Sequence, residues 1–220
     1  DRILVDFRRH LEKELGRERQ QRYWELFKEL RDELGHADYL GALQRYRIEY
    51  PHDSHVLTVS WFLLNYPFEA PLFPNALDVV NRIRQRAQTV LVSDGDSVFQ
   101  SHKIHRAGLF HAVDNHVLIY SHKEQELADI EARYPADHYV LIDDKLQILS
   151  SVKSRWRSRV TTVFLQQGHY AWAVNMRNTR LRADHRFERI GDLLQEDLAG
   201  LLTPVSCGSD QIGAPLTYAR

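Results

Sequence analysis

Cysteine is nearly absent. Cys207 is the only one, so no internal disulfide can form and a reducing compartment is expected. Neither sign of charge is in excess. The 29 Lys and Arg residues nearly balance 30 Asp and Glu, so the charge balance gives no reason to expect nucleic acid or an acidic membrane as partner. Long apolar runs are missing too: the most hydrophobic stretch, 56–64, contains Thr58 and Ser60 and is too short to span a bilayer. No signal peptide, internal repeat or low-complexity tract stands out, and the expected setting is cytoplasmic, away from membranes. With 43% hydrophobic residues in 220, the chain can bury the core of one α/β domain, alone or with a small accessory domain.

Residues 1–70 read as helices only. Phe7, Leu11 and Leu15 recur at fourfold spacing up to Gly16, and Tyr23, Trp24, Phe27, Leu30 and Leu34 repeat the pattern up to Gly35. A third helix carries Tyr39, Leu40, Leu43 and Tyr46, and a fourth runs from Ser54 to Asn65 before Tyr66-Pro67. The aromatic residues of this module are expected to be core. From 71 to 203 the pattern changes to alternation. A helix at 76–86, with Leu77, Val80 and Ile83 on one face, leads to a strand at 89–93. Helix 98–107, strand 117–120, helix 124–133, strand 139–142, helix 146–153 and strand 160–165 follow, with a last helix at 187–198. Strands alternating with helices predict a doubly wound, mainly parallel sheet, hence an α/β fold with a helical accessory domain. Residues 204–220 read as a loosely ordered tail.

Three strand ends carry the chemistry. Val90-Leu91-Val92 stops at Ser93-Asp94-Gly95-Asp96, Lys123 follows the next strand, and Asp143-Asp144 follow the third. In an open parallel sheet all three arrive at the carboxyl rim, where ligands bind. Ser93 offers a hydroxyl, and Gly95 lets backbone N–H groups approach an oxyanion. An ammonium and two acids suit a phosphate with Mg²⁺, which takes one or two carboxylates besides phosphate oxygens. Each residue also has a plainer use. Ser93 can close a turn on its own backbone, Asp144 can cap helix 145–153, and Lys123 can be a solvated residue at a helix start.

The succession VLVSDGD, IYSHKE, YVLIDDK resembles motifs two, three and four of the haloacid dehalogenase-like superfamily of hydrolases, over about residues 71–170. The helical segment before it resembles that family's cap. The resemblance implies that Ser93, with the loop at Asp94 and Gly95, binds the transferring phosphoryl group. Lys123 would hold that group and the nucleophile together. Asp144, and less directly Asp143, would hold Mg²⁺. The implied activity is a Mg²⁺-dependent phosphatase acting on a small phosphate ester through an aspartyl-phosphate. The alternatives are a non-catalytic phosphate-binding or regulatory module on the same fold, or a dehalogenase branch with less need of Asp144. A signalling receiver domain is set aside, because its acids precede its lysine.

The family's first motif, an apolar strand ending in Asp-x-Asp, is not found, so the chain as it stands looks incomplete for catalysis. Asp6 follows Ile3-Leu4-Val5, but position 8 is Arg and helical periodicity explains the segment better. In the family that strand lies between those carrying Ser93 and Asp143. Without it, inner strands would leave N–H and C=O groups unmet at about 1–3 kcal/mol each. The nucleophile is therefore expected upstream of Asp1. His102, His105, His111, His116 and His122 lack the companions of a zinc site, and the basic runs 153–159 and 177–189 read as solvated faces. Gln167-Gly168-His169-Tyr170 falls on the active rim, placed to close the pocket.

Overall fold

A hydrophobic residue every fourth position winds the first part of the chain into helices. The computed structural model describes residues 2–70, 72–168, 171 and 181–202. Helix α1 (Arg2–Leu34) buries Ile3, Phe7, Leu11 and Leu15, breaks at Gly16 (φ 75°, ψ 169°), and resumes to bury Tyr23, Leu26, Phe27 and Leu30. Only a residue tolerant of positive φ allows that break. Helix α2 (Tyr39–Glu49) is capped by Asp38, whose carboxylate accepts from Gly41 N at 2.7 Å. Helix α3 (His55–Asn65) buries Val56, Val59 and Leu63. The aromatics interlock: Phe7 packs edge-on to Tyr23, Trp24 and Tyr39, and stacks on Phe62. Between α2 and α3, the Asp53 carboxylate accepts from Tyr46 Oη at 2.7 Å, Arg19 Nη1 at 2.9 Å and His55 N at 3.0 Å. Burial alone would raise its pKa, but those donors outweigh burial and hold it at about 2. Asp6 lies in α1, accepts from Tyr66 Oη at 2.8 Å and faces Arg2 and Arg9, a structural position.

The remainder alternates as the pattern predicts. Helix α4 (Ala76–Arg84), strand β1 (Leu91–Asp94), helix α5 (Phe99–Arg106), a short α6 (Leu109–Ala112) and strand β2 (Val117–Tyr120) come first. Helix α7 (Leu127–Arg133), strand β3 (Tyr139–Asp143), helix α8 (Leu146–Trp156) and strand β4 (Val160–Leu165) follow, then β5 (His185–Phe187). All pairings among the described strands are parallel: β1 with β2, β3 with β4, and β4 with β5. The sheet is thus in two pieces, β2-β1 and β3-β4-β5, with no ladder joining β1 to β3 among the described residues. The pieces still share a core. Val92 and Tyr120 on one side, and Tyr139 and Leu141 on the other, pack on one cluster with Leu127, Ile148 and Trp156. Every residue of β1 and β3 stays partly exposed, whereas Val160–Phe164 of β4, the middle strand of its piece, is buried. No helix among the described residues is long and apolar enough to cross a membrane.

Two expectations fail. The buried face of α4 is Ala76 and Val79 with Ile83 beside them, and Leu77 is exposed. Ala76 lacks the bulk that marks a core position in sequence. The helix predicted at 187–198 is instead the three-residue strand β5 followed by a 3₁₀ turn, Ile190–Leu194, and a short helix, Leu198–Leu202. Ile190, Leu193 and Leu194 mimic helical spacing. Asp192, however, accepts from Arg189 N at 2.8 Å and tightens the turn, while β4 takes 185–187 as a third strand. The tail at 204–220 lies outside the described residues.

Candidate functional site

Strand alternation decides which backbone donors face the open side of β1. Leu91 N donates to His116 O at 2.9 Å and Gly95 N to Tyr120 O at 3.0 Å, so residues 91, 93 and 95 turn their amides toward β2. Val92 and Asp94 therefore point theirs the other way, toward β3. Gly95 does not offer its own N–H to an anion, since β2 already takes it. Gly95 instead supplies a φ of 144°, a turn that other residues rarely adopt.

Side chains from three strand ends meet at this rim. Lys123 follows β2 in a 3₁₀ turn, Lys123–Gln125, and its ammonium donates to Asp143 Oδ2 at the end of β3. Its backbone N–H donates to Asp94 Oδ1 at 2.8 Å. Asp143 Oδ1 accepts from Lys145 N at 2.8 Å, and Lys145 Nζ stands 3.8 Å from Asp94 Oδ2. The result is an alternating mesh of charges, Lys145–Asp94 and Lys123–Asp143, spanning the break between β1 and β3. The Lys123 and Asp143 side chains keep 15% and 6% of their exposure, so the pair is shielded from water on most sides. Asp144 is left out of the mesh. Burial, and then the neighbouring Asp143, push its carboxyl up to about 6.

Of the plainer readings, two are displaced. Lys145, not Asp144, occupies the capping position of α8, and no side chain caps it. Lys123 points at Asp143 rather than into solvent. Ser93 Oγ makes only a long contact, 3.4 Å, with Asp94 O, and accepts instead from Gln100 Nε2 at 2.6 Å. Sequence reasoning missed Gln100, Lys103 and Lys145. The signal available for the first two was their i, i+3 spacing on the helix that follows the Ser93 loop; for Lys145 it was adjacency to Asp144.

A hard cation fits this donor set. Asp144 is a half-buried carboxyl beside a second acid, and its raised pKa records that its charge lacks full compensation. Mg²⁺ takes such oxygens. Asp143 is already engaged by Lys123 and Lys145, so of the two carboxyls Asp144 would be the more available to a cation. The loop after β4 passes close by. A methyl group at Gly168 (φ 96°) would stand 3.0 Å from Asp144 Oδ2 and 3.8 Å from Phe73. Gln167 Oε1 accepts from Ile190 N at 2.9 Å, while His169 and Tyr170 lie outside the described residues.

The histidines are dispersed. His102 Nε2 lies 2.6 Å from Leu64 O, and His105 stacks on Phe110 with His111 edge-on. His116 packs on Tyr134. His122, beside Lys123, fills the space over Gly35 at the end of α1: a Cβ there would come within 2.2 Å of its Cε1. With φ at 77°, Gly35 is also in the left-handed region. Gly35→Ala is expected to lower stability by about 1–3 kcal/mol, through strain and displacement of His122. Urea unfolding of the variant checks this, and an unchanged midpoint rules it out.

No protein-family profile and no curated protein matches the chain. Solved structures do, among them these two. A Burkholderia xenovorans LB400 protein described as a haloacid dehalogenase-like hydrolase is 50% identical, over 90% of this chain and 92% of that one, with a TM-score of 0.84. The Bacillus subtilis protein YfnB, described as a HAD-hydrolase bound to magnesium, is 13% identical over 85% of this chain and 87% of its own, with a TM-score of 0.52. The second likeness is one of fold alone.

Proposed function

The chain belongs to the haloacid dehalogenase-like hydrolases, and from that premise we propose that it is a Mg²⁺-dependent phosphohydrolase acting on a small phosphate ester. The observation that carries this reading is the mesh at the rim. The Lys123 ammonium after β2 meets Asp143 at the end of β3, the Lys123 amide is held by Asp94 at the end of β1, and Asp144, next to Asp143, has a raised pKa. In this reading the Asp94 N–H and the Ser93 hydroxyl bind the phosphoryl oxygens. Lys123 neutralises charge on the transferring group. Asp144, with Asp143 behind it, holds Mg²⁺, which supplies Lewis-acid stabilisation of phosphate charge when bound.

The nucleophile of this reading is an aspartate upstream of Asp1, on a strand lying between β1 and β3. Its carboxylate attacks phosphorus, and the P–O bond to the ester's alcohol breaks with that oxygen protonated by a neighbouring acid. Water then hydrolyses the aspartyl-phosphate to inorganic phosphate and the free carboxylate. The open sides of those two strands support that placement: each has a ladder partner on one side only among the described residues. The helices of α1–α3 would act as a cap that excludes bulk water and selects the ester. The Asp143-Asp144 pair favours phosphate chemistry over dehalogenation, which has less use for a cation site.

Hydrolysis of p-nitrophenyl phosphate by the full native chain, with Mg²⁺ and with chelator, tests the reading. Turnover that requires Mg²⁺ is the expected result. Equal release of nitrophenol in both conditions, or none in either across a panel of small phosphate esters, rejects it.

A further inference from the structure

We propose that Gln100, with its amide locked by Lys103, positions the Ser93 hydroxyl so that its proton is presented to a bound phosphate oxygen. The inference rests on the phosphohydrolase reading and adds two positioning residues to it. A serine hydroxyl has one proton to give and lone pairs to receive. The amide nitrogen of Gln100, 2.6 Å from Ser93 Oγ, fills the acceptor side and leaves the proton to turn elsewhere. Its 3.4 Å contact with Asp94 O is too long to hold that proton firmly.

The direction of the amide is what matters, and Lys103 sets it. Lys103 Nζ lies 3.0 Å from Gln100 Oε1. An ammonium only donates, so exchanging the amide oxygen and nitrogen would bring two donors face to face. Burial pushes the Lys103 ammonium below its usual pKa. The lock holds while that proton is kept, since a neutral amine would carry a lone pair able to accept from a reversed amide.

The supports are specific to this task. Gln100 and Lys103 share one face of α5, three residues apart. The helix start is tied by Asp96, whose carboxylate accepts from Phe99 N at 2.6 Å and Val98 N at 3.0 Å. Phe99 is buried between Tyr39 and Phe68. Gly95 leaves the room Gln100 needs: a Cβ at 95 would stand 3.4 Å from Gln100 Cβ and 3.5 Å from its Cγ.

Calorimetric titration of the full native chain with inorganic phosphate, in the presence of Mg²⁺, tests the relay. Gln100→Leu is expected to weaken binding about fivefold. Gln100→Glu, which captures the Ser93 proton, should weaken it by about tenfold or more. In a Ser93→Ala background Gln100→Leu should cost nothing further, because its effect passes through that hydroxyl. Lys103→Met should follow Gln100→Leu, and Lys103→Arg should restore binding. Should Gln100→Leu fail to fold, Gln100→Asn keeps the amide but loses its reach and serves the same purpose. Wild-type affinity in Gln100→Leu with loss in Ser93→Ala overturns the relay and leaves the phosphohydrolase reading intact. An equal loss from Gln100→Leu with and without Ser93 also overturns the relay. Binding indifferent to Ser93→Ala overturns both.

Discussion

Lys123→Met is expected to lower p-nitrophenyl phosphate turnover by about a thousandfold or more, the scale on which a preorganised charge next to a reacting group acts. The size follows from where the ammonium sits. It is largely shielded from water, it touches Asp143, and its own backbone amide is pinned to Asp94, so it cannot relax away from a phosphate on that rim. Removing it also leaves Asp143 beside Asp144 without its counter-charge. A buried acid stripped of its partner costs about 3 kcal/mol. The variant should therefore unfold earlier in urea, and Lys123→Met/Asp143→Asn should recover much of that stability while staying inactive. Activity within tenfold of wild type in Lys123→Met would remove this lysine from the mechanism.

The second large effect concerns Asp144→Asn. The folded chain holds this carboxyl up to about 6, against an ordinary value of 3.8. Between those values the folded state binds a proton that the unfolded chain has released, so stability falls as pH rises through that window and stays lower above it. After discounting for its residual exposure, the loss is about 1–2 kcal/mol. Asp144→Asn should thus be more stable than wild type near neutral pH without metal. Mg²⁺ reverses the comparison. It should raise the wild-type melting temperature at about pH 7.5 and much less at about pH 5, where the proton must first be displaced. The Asn variant should show almost no metal-dependent shift, and its hydrolysis should drop by about a hundredfold or more. Equal Mg²⁺ shifts in the two proteins would move the cation site elsewhere.

Much of this was legible before any coordinates. The α/β alternation, the parallel sheet and the helical start follow from spacing alone. Strands 117–120 and 160–165 fall where Val, Leu, Ile and Phe cluster between turn residues. Ser93, Lys123 and Asp143 announce themselves because parallel strands must end on one side. What stayed hidden is directional. No pattern says that Gly95 turns its amide to β2 while Asp94 turns away, since that depends on register. Gln100 and Lys103 look like any polar face of a short helix until Gln100 is seen against Ser93 and Lys103 against Gln100. Strand β5 is too short for a period of two to register, and Phe187 gains its place only by lying beside Leu165.

Helix α5 belongs to two bodies at once. Phe99 and Ala107 pack into the core of α1, α2 and α3, and His102 reaches the end of α3, yet the helix grows directly out of the Ser93 turn. No cut through the chain near residue 70 separates the two parts cleanly. Any swing of the first three helices away from the sheet must either drag α5 along or pull Phe99 from between Tyr39 and Phe68. The helix thus joins two sets of contacts, the aromatic packing of the first three helices through Phe99 and the Ser93 hydroxyl through Gln100.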